Sequence, residues 1–273
     1  MKHSLFPFKT GLQCVLESRE QIPRLKQLLG LLRQEGFCGV ELNLPDLELI
    51  KPEELRKLLE EYGMQMGMLA TGVYAKVRGL SLSSGSSQER KRAVEGCRKN
   101  IDYAAAMGCG VIIGFLKGGP GGNREHAEQN FLESMLELKP YIEEKQVLVL
   151  IEATNHKEAS IIRTLEEGAR IIDRLDSPWI RLLADTYHMN IEEPSLLDSL
   201  SEYMDYYPHL HISDNNRAYP GLGSLDFSAI YWKLMELGYQ GTLAVEGNVQ
   251  KDILADTQAC AAYLHKTCGA LEA

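Results

Sequence analysis

At 273 residues, with 44% hydrophobic and 25% charged side chains, the chain has the balance of a globular protein and the length of one α/β barrel, which needs roughly 250 residues. A net charge of −9, with no basic cluster denser than ERKR at 89–92, argues against a nucleic-acid partner, whose phosphates would be repelled. No apolar run reaches the ~18 residues of a membrane span, and the opening MKHSLFPFKTGLQC lacks a signal peptide's apolar stretch and cleavage site, so a cytoplasmic location is expected.

In chain order, a first strand is expected near Ser4 to Leu16, followed by a helix over 19–36 that stops at Gly36. FCGVELNL (37–44) reads as the second strand. A helix over 51–63 carries Pro52 in its first turn and Gly63 as its stop. The third strand, MQMGMLATG (64–72), leads through the polar RGLSLSSGSS to a helix over 88–108 and a strand over 109–115. GGPGG (118–122) makes an adaptable loop before a helix over 123–145. Strands then follow at 147–154, 180–186, 209–213 and 242–247, alternating with helices at 160–176, 195–207, 226–238 and 252–271. The six cysteines are scattered, with no C-x-x-C pair, and are expected to stay unpaired. Eight strand–helix units, with no Gly-rich phosphate fingerprint after the first strand, favour a single (β/α)8 TIM barrel domain over 1–273.

In such barrels the chemistry sits at the C-terminal ends of the strands. Glu152, Asp185 and Glu246 end the fifth, sixth and eighth strands, and His211 lies close to the end of the seventh. Each stands about one βα unit from the next, within an apolar run (LVLIEA, RLLADT, HLHIS, LAVEG). A carboxylate buried there costs several kcal/mol unless paired or metal-bound, and these runs supply almost no Lys or Arg. Carboxylates with one imidazole suit one divalent ion, with Mn2+ favoured and Co2+ or Mg2+ possible; zinc more often recruits further His or Cys. Glu158, His188 and Arg217 lie on the loops around the same mouth. His3, His126, His156 and His265 have no comparable placement, and of His209 and His211 only the latter is expected to point inward.

The motifs IEATNHKE, LLADTYHMNIEEP, HLHISDNNRAYPGLGSLDF and AVEG together resemble the xylose isomerase-like barrel superfamily, and within it the ketose 3-epimerases (D-tagatose 3-epimerase and relatives). The resemblance implies a metal held by Glu152, Asp185, His211 and Glu246. It also implies Glu152 and Glu246 as the acid/base pair, substrate binding by Glu158, His188 and Arg217, and a homodimer or homotetramer. ATGVYAKVRGLSLSS and VIIGFLKGGPGG look like a branch acting on keto-sugar acids, such as 5-keto-L-gluconate epimerase. The expected substrate is therefore a sugar or sugar acid, its anionic group meeting Arg217 or Lys117.

The expected chemistry is removal of the proton beside the carbonyl, an enediolate, and reprotonation with inversion. Return of the proton to the neighbouring carbon makes the same site an aldose–ketose isomerase, of the hydroxypyruvate or sugar phosphate type. A non-catalytic sugar-binding barrel would be expected to lack one of the paired glutamates. The superfamily's three-zinc endonucleases need further His ligands and a D-x-H after the seventh strand, and that motif is absent.

Overall fold

The computed structural model describes residues 7–271. Eight strands close in sequence order into a barrel: β1 (Thr10–Val15), β2 (Gly39–Asn43), β3 (Gln65–Ala70), β4 (Gly110–Ile113), β5 (Val149–Glu152), β6 (Ile180–Asp185), β7 (His209–Ile212) and β8 (Thr242–Val245). Every pairing is parallel, including the closing one between β1 and β8. Around them lie α1 (Ile22–Gln34), α2 (Pro52–Glu61), α3 (Gly72–Arg78), α4 (Ser87–Met107) and α5 (Arg124–Lys145), then α6 (Leu165–Leu175), α7 (Thr186–Glu192), α8 (Leu196–Glu202), α9 (Phe227–Glu236) and α10 (Ile253–Leu271). The expected (β/α)8 barrel is the fold observed. No helix among the described residues is long and apolar enough to cross a membrane.

Local chemistry sets the helix starts. Ser86 Oγ accepts the Glu89 amide and Thr164 Oγ1 accepts the Glu167 amide, so side chains satisfy donors that a helix start leaves free. From Thr164 onward α6 buries Leu165, Ala169, Ile171, Ile172 and Leu175 against the barrel, a stripe with helical spacing. The strands read with period two. On β5 and β6, Val149, Ile151, Leu182 and Ala184 join the large core between barrel and helices, while Leu150 and Leu183 join a small separate cluster with Met68, Ala70 and Ile112. That alternation carries Glu152 and Asp185 onto the same inner face as Leu150 and Leu183.

Several boundaries differ from expectation. The beginning of the first predicted strand, at 4–6, lies outside the described residues. The fourth strand is only Gly110–Ile113, with a short 3-10 turn at Phe115–Lys117 after it. The predicted helix at 160–176 starts only at Leu165, and that at 195–207 ends at Glu202, with a separate turn at Met204–Tyr206. Two seven-residue helices, α3 and α7, were not expected; neither is long enough to display a 3.6-residue repeat.

Candidate metal centre and active site

The register of the sheet assembles the four strand-end residues. Asp185 pairs with His211 across β6 and β7, and Glu152 pairs with Leu183 across β5 and β6. One ligand atom each from Glu152, Asp185, His211 and Glu246 lies within 4.8 Å of every other. Asp185 and His211 are fully buried, Glu152 nearly so, and the Glu246 side chain is 20% exposed at the mouth.

Each side chain is held from outside the cluster. Asp185 also caps α7: its Oδ1 accepts the amides of Tyr187 (2.8 Å) and His188 (3.1 Å), which leaves Oδ2 facing the cluster. Glu152 comes close to β4 because residue 114 is glycine, where an added Cβ would lie 2.3 Å from its Oε2. Its Oε1 has no hydrogen-bond partner among the described residues, although buried carboxylate oxygens ordinarily find one. His211 Nδ1 lies 2.8 Å from Glu246 Oε2 and 3.9 Å from both Glu152 Oε1 and Asp185 Oδ2.

The cation at the cluster is Arg217. Its guanidinium donates to Asp185 Oδ2 and to Glu246 Oε2, each at 2.7 Å, and lies over the Tyr187 ring. Arg217 takes a left-handed backbone conformation (φ 62°) in a loop organised by Asp214. That buried carboxylate accepts the amides of Asn215, Gly221, Gly223 and Leu225. The strand runs themselves supply no buried cation next to the carboxylates, as expected. Arg217 nevertheless reaches in from its loop, so the carboxylates are partly charge-compensated by the protein.

Electrostatics separate the two glutamates. Burial, reinforced by the charge of Glu246, pushes the Glu152 carboxyl up to about 8. Burial acts in the same direction on Glu246, but Arg217 and His211 outweigh it and hold that carboxyl far below its ordinary range. His188 is driven down by burial and so is neutral. The backbone amide of Asn155 donates to its Nδ1 at 3.2 Å, which puts the ring proton on Nε2, 3.7 Å from Glu152 Oε1.

A cavity of about 120 Å3 opens on the cluster and is lined by Glu152, Glu158, His188, Arg217 and Glu246 among others. All three residues expected on the loops thus stand at the mouth. Glu158 is exposed there and accepts from the Asn155 side chain. His126 and His156 are exposed, the latter paired with Glu192, and His265 contacts the Glu35 carbonyl; His3 lies outside the described residues.

Two expectations need correction, and one buried carboxylate is added. His209 also points inward, because residues two apart on a strand share a face; its Nε2 is 2.7 Å from Glu41 Oε1. Glu41, in β2, is buried beneath the cluster and was not singled out. Lys117 is fully buried, donating to the Glu152 carbonyl and to Thr154 Oγ1, so it is not placed to meet a substrate anion.

This fold and inner cluster are those of a barrel with a candidate metal site at its mouth. The chain belongs to the xylose isomerase-like TIM barrel family, whose model matches residues 29–264. It is 26% identical over 256 residues to D-psicose 3-epimerase of Enterocloster bolteae, covering 90% of this chain and 84% of that one. It is 29% identical over 225 residues to L-ribulose 3-epimerase of a Methylomonas species, covering 81% and 77%. A shorter stretch of 105 residues is 37% identical to 3-dehydro-D-guloside 4-epimerase of Escherichia coli, covering 38% of this chain and 40% of that one. Among solved structures, an L-ribulose 3-epimerase superposes with a TM-score of 0.84 at 20% identity, over 96% of this chain and 95% of the other, a likeness of fold.

Proposed function

We propose that the chain epimerises a neutral ketose or keto-sugar at the carbon beside its carbonyl, using one divalent ion and the glutamate pair Glu152 and Glu246. The observation that carries this reading is the inward cluster of four donors with an orphaned buried oxygen on Glu152. A hard or borderline cation fits that set: three carboxylates and one imidazole, deep in the barrel mouth. Glu152, Asp185, His211 and Glu246 would hold it, with Mn2+ the best match. When bound, the ion supplies Lewis-acid polarisation of the substrate carbonyl, which acidifies the adjacent C–H.

The chain's own groups divide the remaining work. Glu152 and Glu246 both face the cluster, and the reaction needs one of the pair to take the proton and the other to give one. Delivery to the opposite face of the same carbon inverts it. Arg217 stabilises the negative charge that develops on the enediolate. Neutral His188 donates from Nε2 to a sugar oxygen, and Glu158 accepts from a hydroxyl at the rim.

Support for a neutral substrate comes from charge. Three glutamates line the cavity, Arg217 is the sole Lys or Arg among its described lining residues, and Arg217 is already engaged by Asp185 and Glu246. A sugar carboxylate or phosphate would find no uncommitted Lys or Arg to pair with among those lining residues. This reading moves away from the keto-sugar acids that the N-terminal motifs resemble. It accords with relatives named for psicose and ribulose epimerisation.

The test is solvent exchange. Neutral ketoses, their uronates and their phosphates are incubated in D2O with the Mn2+-loaded protein and with Glu152→Gln and Glu246→Gln. Deuterium is expected beside the carbonyl of a neutral ketose, and is lost in both variants. Retained exchange in both variants rules out the pair, and preferential turnover of uronates rules out the neutral substrate.

A further inference from the structure

The cluster rests on a second layer that the proposed chemistry has not used. Glu41 enters the barrel from β2 and is 1% exposed, with no Lys or Arg of the described residues among the charges that act on its carboxylate. Its two oxygens instead face two imidazoles of β7. Oε2 lies 3.0 Å from His211 Nε2, within hydrogen-bond geometry, and Oε1 lies 2.7 Å from His209 Nε2. His209 is anchored in turn, its Nδ1 lying 2.6 Å from Thr242 Oγ1 on β8. A polar line therefore runs Thr242–His209–Glu41–His211 across the barrel floor, with a close ion-pair contact rather than a hydrogen bond between His209 and Glu41, and ends at the ring whose Nδ1 faces Glu246, Glu152 and Asp185.

We propose that Glu41 is a positioning residue for the metal centre: by accepting the Nε2 proton of His211 it fixes the ring orientation and leaves the Nδ1 lone pair for the ion. The proposal rests on the reading of His211 as a ligand. The physical reason is that an ionised carboxylate only accepts hydrogen bonds, so a ring nitrogen bonded to it must carry hydrogen. The one remaining lone pair of the ring is then at Nδ1. Without Glu41, the proton is free to sit on Nδ1, and the ring is free to turn its wrong nitrogen towards the carboxylates. A carboxylate behind a ligating imidazole also raises the basicity of that imidazole, and loss of such a partner typically weakens metal binding by roughly 10–100-fold.

Glu41, His209 and His211 also have donor atoms close enough to be weighed as an ion site of their own. Imidazole chemistry argues against that use. His211 would have to surrender both ring protons to serve an ion on each side, whereas the hydrogen bond to Glu41 retains the Nε2 proton. Lying two residues apart on β7, the two histidines serve one Glu41 carboxylate, and only His211 reaches the upper layer.

The experiment measures Mn2+ affinity by competition with a fluorescent chelator, for the wild type, Glu41→Ala and Glu41→Gln, with thermal melts of each ion-free protein alongside. Glu41→Ala is expected to bind Mn2+ roughly 10–100-fold more weakly. Glu41→Gln, whose amide oxygen still accepts the Nε2 proton but carries no charge, is expected to lose several-fold. In 15N-histidine NMR of the Zn2+-loaded wild type, His211 should show a protonated Nε2 and a metal-shifted Nδ1. A purely structural Glu41 would lower the melting temperature and leave the affinity of the folded protein untouched. A folded Glu41→Ala with wild-type affinity overturns the proposal. Should that variant not fold, wild-type affinity in Glu41→Gln overturns it, as does a His211 bound through Nε2. If the wild type binds no divalent ion, the proposed function falls and takes this inference with it. If the wild type binds and the variants bind equally, this inference alone falls.

Discussion

Gly114→Ala isolates the geometry of the glutamate that ends β5. The residue's φ of −96° is not left-handed, so the expected effect is worked from the space at its Cβ. The new Cβ would stand 2.3 Å from Glu152 Oε2, against 3.4 Å or more for ordinary contact, so the carboxylate must retreat by about 1 Å. Overpacking of this kind costs about 1–3 kcal/mol, which lowers the melting temperature by roughly 2–10 °C in a chain of this size. A displacement of about 1 Å in a proton-transferring group costs on the order of 100-fold in rate. The assay is the initial rate of deuterium uptake by a neutral ketose, with a thermal melt of the same sample. The expected result is a large rate loss with a modest loss of stability. A Gly114→Ala protein that exchanges at the wild-type rate would refute the placement of Glu152 at the reacting carbon.

Other consequences follow from the same contacts. Arg217→Met removes the cation from between Asp185 and Glu246, and unpairing buried charges costs about 3–5 kcal/mol. The ion-free variant should melt well below wild type and gain more from added Mn2+; equal gains in the two proteins would contradict the compensating role. Asp214→Ala leaves the amides of Asn215, Gly221, Gly223 and Leu225 without their acceptor, which should cost roughly 2–4 kcal/mol. Hydrogen exchange should speed up over 214–225, and wild-type protection there would show that the loop does not depend on Asp214. Burial raises the fully buried Cys97 thiol from 9.0 to about 12. Its contribution to stability is therefore complete below pH 9 and is lost as pH rises from 9 towards 12, amounting to about 2 kcal/mol at pH 10.5. Cys97→Ala should show a shallower alkaline decline in denaturant titrations; an identical slope would contradict the assignment.

The barrel and the four strand-end donors were legible because two signals coincide at them: an apolar run short enough for a strand, and a polar residue at its end that is costly to bury. The same argument applies to Glu41 in FCGVELNL, but Glu41 lies below the mouth rather than at the strand end where barrel chemistry is expected. The two-residue strand period places His209 beside His211, against the expectation that only one of them points inward. The short helix α7 has too few turns to show a repeat, and its start depends on Asp185 acting as cap and site residue at once. Lys117 follows β4 in a glycine-rich stretch that reads as an exposed loop. Its burial depends on Thr154 and the Glu152 carbonyl, contributed by a distant part of the chain. Partners that meet only through barrel closure leave no local pattern to read.

The proposed function depends above all on Glu152, Asp185, His211 and Glu246 holding one divalent ion. Titration of chelator-treated protein with Mn2+, followed by electron paramagnetic resonance, tests it most directly. The expected result is one tight site per chain, abolished in His211→Ala while the fold persists. Absence of a stoichiometric site, or a site that survives in folded His211→Ala, would contradict it.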